Sequence, residues 1–202
     1  MASTKPLVAL TVALLLGLRH PLDPDHLAAV AAMAKRSKGR SALIGLSWGA
    51  GHASTVLALG IPVVLWTAAL PEGVHQGIEA LIGIVIFGLG LGLLIRHGRG
   101  ELHPHPHRPP RSLREAYAVG AVHGAGGSAG IGLLIIAAIP DHGVALAGLA
   151  VFAISTALAM SVVAAGLGRS LRALPARPAG GFVCAFGLWY LVAAAVGAPY
   201  PF

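Results

Sequence analysis

The chain is poor in the residues that mark most soluble proteins. Of its 202 residues, only 10% are charged, where a soluble domain carries roughly a quarter. Cysteine occurs once, as Cys184, which excludes an internal disulfide framework and any multi-thiolate metal site. Aromatic residues make up 5%, and no stretch interleaves them with basic residues, so nucleic-acid binding is excluded as a role. Asparagine is absent, removing a frequent oxyanion-stabilising amide from any hydrolase reading. No Gly-x4-Gly-Lys-Ser/Thr string is present, so drive by ATP would need another subunit.

What fills the chain instead is apolar sequence: 56% hydrophobic residues and a mean hydropathy of +0.80. Six segments, at 7–34, 42–69, 77–95, 116–139, 143–167 and 179–197, are long enough to cross a ~30 Å hydrocarbon core. The fold expected is therefore all-α, a polytopic membrane protein with six transmembrane helices. The first run, Leu7 to Leu18, is followed by Arg-His-Pro rather than a small-residue cleavage site, and reads as a retained span. The second, fourth and fifth segments are rich in small residues, which let helix backbones approach closely inside lipid.

The net charge of +7 is a matter of topology. Twelve of the fourteen Lys and Arg residues follow the first segment, lie between the third and fourth, or join the fifth to the sixth. The positive-inside rule places those connections in the cytoplasm and both termini outside, in a bacterial-type cytoplasmic membrane. Three short matches recur at nearly constant offset: Gly17-Leu-Arg-His20 with Gly120-Ala-Val-His123, His52–Leu59 with Ala153–Met160, and Phe87-Gly-Leu89 with Phe186-Gly-Leu188. They divide the chain into a three-helix repeat at 1–95, a linker at 96–115 and a second repeat at 116–202. With three spans each, the halves would run in opposite directions, the inverted-repeat design of many secondary transporters. The linker is rich in His, Pro and Arg, and its His97, His103, His105 and His107 form a candidate cytoplasmic metal-collecting loop.

The chemistry concentrates in Gly17-Leu-Arg-His-Pro-Leu-Asp-Pro-Asp-His-Leu-Ala-Ala-Val30. Ionisable residues within a span are costly and default to function. Pro21 and Pro24 disfavour helical geometry at His20 and Asp23, and Asp23-Pro24 reads as an N-cap followed by proline at the first helical position. The first helix should thus be broken at the motif: one half ending near His20, an irregular turn, and a second half starting at Asp23. Irregular backbone at membrane depth marks a transporter's substrate site. Imidazole and carboxylate without thiolate suit Ni²⁺, Co²⁺ or Zn²⁺ better than Cu(I). Arg19 is expected to pair with an aspartate or to snorkel outward.

His20-x4-Asp25-His26 resembles the signature motif of the nickel/cobalt transporter family. Gly51-His52-Ala-Ser-Thr-Val56 is similar to that family's Gly-His-Ser-Thr-Val string, here with Ala53 between His52 and Ser54. His123-Gly-Ala-Gly-Gly-Ser-Ala-Gly130 resembles a motif of the smaller six-span branch, the urease-accessory-type nickel permeases. The resemblance implies a permease and not an enzyme, with Ni²⁺ or Co²⁺ as transported substrate and no prosthetic group. It implies His20, Asp25, His26 and His52 as metal ligands. Asp23, Ser54, Thr55, His123 and Ser128 are candidates for supporting or pathway roles. The partners implied are the metal ion, the lipid bilayer, and a cytoplasmic metallochaperone or metalloenzyme maturation system.

Two other readings stand beside this one. The same fold could export metal, since a carrier's site is the same from both sides. Gly126-Gly-Ser-Ala-Gly130 also satisfies a Gly-x-Ser-x-Gly pattern, a remote pointer to an intramembrane serine protease. That pattern needs a strand before it, and the context here is apolar and glycine-rich. At the outer ends, Glu72, His75 and Glu79, with Asp141 and His142, could collect cations at an entrance.

Overall fold

In the computed structural model the described residues are 4–34, 39–66, 72–99, 112–126, 129–170 and 176–197. All regular structure among them is helical: α1 (Thr4–Arg19), α2 (Pro24–Ala34), α3 (Ser41–Trp66), α4 (Glu72–Gly98), α5 (Leu113–His123), α6 (Ala129–Ala137), α7 (His142–Ser170) and α8 (Ala176–Ala195). Among the described residues, five stretches are long and apolar enough to cross a membrane: 5–22, 41–66, 76–98, 142–170 and 177–195. The protein is a multi-pass membrane protein.

The break in the first segment falls at the prolines. The α1 helix stops at Arg19, and residues His20–Leu22 form a single 3-10 turn. Asp23 is extended (φ −65°, ψ 144°), as the proline that follows requires. The α2 helix restarts with Pro24 in its first position, and the Leu27 amide donates to the Asp23 carbonyl at 2.9 Å.

The sequence reads 116–139 as one uninterrupted segment, but the structure divides it into α5 and α6, of 11 and 9 residues. Neither piece alone spans the hydrocarbon core. The α5 helix ends in a tight turn, with the Gly124 amide on the Gly120 carbonyl and the Ala125 amide on that of Val122. Glycine is a poor helix former, and Gly124 and Gly126 are used for close approach. A Cβ at Gly124 would strike the His52 backbone, and one at Gly126 would lie 2.7 Å from an Ile78 methyl. At the linker, α4 continues through His97 to Gly98, and α5 begins at Leu113 with Ser112 as its N-cap.

Packing follows the small residues. The α3 and α7 helices are antiparallel, with Gly45 against Met160 and Gly60 against Leu149; α4 and α8 are antiparallel, with Gly83 against Leu191 and Gly90 against Cys184. The α3 and α5 helices run parallel, Trp48 meeting Gly120 and His52 meeting Gly124; α1 and α7 also run parallel, Gly148 lying by Ala13 and Gly17 by Phe152. Two apolar clusters form the interior, one around Trp48, Ile82, Ile86 and Tyr190, the other around Val56, Leu149 and Phe152. Large apolar side chains such as Leu134, Val162 and Phe182 face outward, the pattern of a lipid-contacting surface.

Gly120 packs directly on the Trp48 carbonyl. Gly120→Val should therefore cost about 1–3 kcal/mol or more through overpacking, read as a lower unfolding midpoint in detergent. Gly92→Ala, where a Cβ meets nothing within 4 Å, should be neutral or slightly stabilising.

Candidate metal centre

The two chain breaks bring four histidines together. His20 comes from the 3-10 turn, His26 from the first turn of α2, His52 from the middle of α3 and His123 from the last turn of α5. All four are buried, three of them completely. The ring of His26 is central, with centroid distances of 4.3 Å to His20, 5.3 Å to His52 and 5.3 Å to His123. His20, His26 and His52 each offer a nitrogen within 4.8 Å of the others, a set that could hold a metal ion.

Two aspartates orient two of these rings. Asp23 Oδ2 lies 3.3 Å from His20 Nδ1, and Asp25 Oδ1 lies 3.1 Å from His26 Nδ1. An ionised carboxylate only accepts, so each contact fixes a proton on Nδ1 and leaves Nε2 with its lone pair. That is the carboxylate–histidine arrangement that raises the basicity of a metal-binding imidazole. His20 Nε2 in turn lies 3.0 Å from His52 Nε2, and with His20 as acceptor it is His52 that donates. Asp23 stands in the N-cap position, but its carboxylate turns to His20 and to Arg19, whose guanidinium is 3.8 Å away and largely exposed. Arg19 thus both pairs and points outward.

Several buried polar atoms have no hydrogen-bond partner among the described residues: Asp25 Oδ2, His26 Nε2, His52 Nδ1, both ring nitrogens of His123, Trp48 Nε1 and Thr156 Oγ1. His123 lies against the Asp25 backbone but outside hydrogen-bonding geometry. A buried group left unsatisfied costs about 1–3 kcal/mol, so a ligand that engaged several of these atoms at once would relieve a large penalty.

The other candidates fall elsewhere. Ser54 donates to the Ala50 carbonyl and accepts from the Tyr117 hydroxyl at 2.9 Å, and Thr55 donates to the Gly51 carbonyl. Both hydroxyls are satisfied away from the histidines. Ser128 lies outside the described residues, as do His103, His105 and His107; His97 is in the last turn of α4. Glu79, read from sequence as part of an outer entrance, is instead buried. Asp141 is exposed and caps α7 through the Val144 amide at 2.9 Å.

Sequence reasoning missed Trp48 and Phe152. The Trp48 ring lies 5.2 Å from that of His26 and 5.8 Å from that of His123, and Phe152 lies 5.5 Å from His20. Trp48 precedes His52 by one helical turn, so the i, i+4 spacing could have placed it on the same face. Phe152 comes from the second half, and no local pattern signals it.

Asp23 Oδ2 lies beside His20 Nδ1, so if the cluster holds a divalent metal, Asp23→Asn should weaken its binding about 10–100-fold while leaving a folded protein. Calorimetric titration of the purified protein with NiCl₂ checks this, and an unchanged affinity would remove Asp23 from the site.

No protein-family profile matches the chain, and no solved structure matches it. Among characterised proteins it is similar to the urease accessory protein UreH of Bacillus sp. (strain TB-90), with 29% identity over 164 residues, covering 75% of this chain and 72% of that protein.

Proposed function

We propose that the protein is a permease for Ni²⁺ or Co²⁺, with His20, His26 and His52 as ligands, Asp25 beside them and His123 next on the path. The observation that carries this reading is the convergence of three buried imidazoles from separate helices, with neighbouring acceptor atoms left unpartnered. Neutral imidazoles suit a borderline divalent cation, and Asp25, buried beside them, offsets part of its charge. The similarity to a protein named as a urease accessory protein agrees with the urease-accessory-type nickel permeases that the motifs resemble.

The inverted repeat belongs to this proposal and has support in the packing. Exchanging the halves at the repeat's offset turns the α3–α5 pair into α7–α1, and both pairs are parallel. It returns the α3–α7 and α4–α8 pairs to themselves, and both are antiparallel. Gly17 and Gly120, equivalent in the repeat, each pack on a backbone carbonyl of the other half, Phe152 for one and Trp48 for the other. On this reading the α5–α6 break is the counterpart of the α1–α2 break, giving six spans with both termini outside. Metal released to the cytoplasm would pass to a metallochaperone or a metalloenzyme maturation system.

The Asp25→Ala, His26→Ala double variant should lose cellular ⁶³Ni accumulation while still reaching the membrane, and full uptake by it would sink the reading. Replacing His97, His103, His105 and His107 together by alanine should leave most of the uptake intact. Ser128→Ala should lower transport only modestly, whereas a serine protease would lose all activity. Whether cells lacking the protein become nickel-starved or nickel-sensitive separates import from export.

A further inference from the structure

A charged side chain lies on the outside of the bundle at the depth of the candidate metal site. Arg19 ends α1, and 71% of its side chain is exposed. Two contacts fix its depth. The neighbouring His20 reaches His52 at 3.0 Å, and His52 lies 11 residues after the start of α3 at Ser41 and 14 before its end at Trp66. Gly17, two residues back, packs on Phe152 and Ser155, near the middle of α7. Arg19 is thus level with the centres of two spans, about 15 Å from either face of a ~30 Å hydrocarbon core. That is further than one side chain climbs by snorkelling.

A guanidinium held at such a depth against lipid is costly. It carries five donors, and the Asp23 carboxylate at 3.8 Å leaves most of them to something outside the bundle. The same edge is where the histidine cluster comes nearest the surface. The Asp23 side chain is 11% exposed, whereas those of His20, Asp25 and His26 are at most 3% exposed and His52 and His123 are fully buried. Asp23 Oδ1 faces Arg19 while Oδ2 faces His20 Nδ1, so one carboxylate joins the exposed arginine to the first ring of the cluster. The backbone here, His20–Leu22 and the extended Asp23, is of the irregular kind tolerated at membrane depth where it lines a water-filled cavity. Water at this edge meets both needs: it solvates the guanidinium, and it leads to a cluster that is otherwise enclosed.

We propose that the Arg19–Asp23 edge is the mouth of a water-filled opening in the side of the bundle, through which a hydrated divalent cation reaches His20. This rests on the permease reading. In the empty site Arg19 balances the charge of Asp23. The incoming cation takes the place of Arg19 beside that carboxylate and sheds water there before the imidazoles take it up. No bond to carbon changes and no electrons move.

The test uses the full-length protein carrying Cys184→Ser, in lipid nanodiscs that leave both membrane faces open to buffer. Leu22→Cys puts a thiol at the mouth. Leu158→Cys puts one at the same depth on α7, three residues past Ser155, at a position as exposed as Leu22 (56% against 55%). Each is treated with the cationic, membrane-impermeant methanethiosulfonate reagent MTSET, and total thiol is counted after denaturation. The reagent needs a thiolate and hence water, so Leu22→Cys should react at least about ten-fold faster than Leu158→Cys. Once reacted, it should also lose most of its ⁶³Ni²⁺ binding. Should Leu22→Cys misfold, Arg19→Cys repeats the comparison at the other residue of the mouth. Equal rates overturn the proposal, and a disulfide between two Leu22→Cys chains on mild oxidation then names a second copy as the cover. Fast reaction that leaves nickel binding intact overturns it as well, since the opening would not lead to His20. Unaltered protein that binds neither Ni²⁺ nor Co²⁺ instead refutes the permease reading, and the cation's use of the mouth with it.

Discussion

Polar side chains held away from water must find partners, and the interior of this protein is arranged around that constraint. Four histidines and two aspartates sit in a bundle whose outer surface is apolar. A continuous helix could not present His20 and His26 to each other at 4.3 Å while keeping Asp23 on one ring and Asp25 on the other. The 3-10 turn at His20–Leu22 and the extended Asp23 do so by resetting the direction of the chain. The α5–α6 break completes the arrangement by ending α5 at His123, whose ring then faces His26. Both breaks need close packing to shield their free backbone groups, and the glycines of α1, α3 and α5 supply it.

Much of this was legible in the residues. Two prolines three residues apart, at 21 and 24, announce a break because each removes an amide and restricts the residue before it; a lone proline need not, since α3 runs on through Pro62. The positions of the apolar runs followed from length alone. The second break was not legible, since glycine permits a helix as well as a turn inside an apolar segment. The decision at Gly124 and Gly126 was made by the helices they touch. His52 and His123 stood out as isolated polar residues in apolar sequence, but their convergence depends on which face of α3 meets α5. Glu79 was misread for a similar reason: its place near a helix start suggested the surface, and the contact with Tyr190, 111 residues away, put it inside.

On the proposed repeat the two halves would be alike in how their helices meet, and they are unlike in chemistry. The first contributes His20, Asp23, Asp25, His26 and His52, and the second contributes His123 to the cluster, with Phe152 as an apolar wall. At the positions that match His52, Ser54 and Thr55, the second half has Ala153, Ser155 and Thr156. Under the proposed permease reading, a scaffold with matching halves but ligands mostly on one of them could change the surroundings of a bound ion without dismantling its coordination. The ligands would travel together while the wall and His123 move against them.

The pairing of helices also bears on how the chain is made. The α1 helix lies along α7 and α3 along both α5 and α7, so these helices pack mainly on partners far along the chain. At a synthesis rate of about 5–20 residues per second, the hundred residues or so between α3 and its partner take roughly 5–20 s to appear. During that interval the histidines of the first half have one another and the two aspartates, but neither His123 nor the Phe152 wall. The last helices to emerge complete the packing around the cluster that the first ones began.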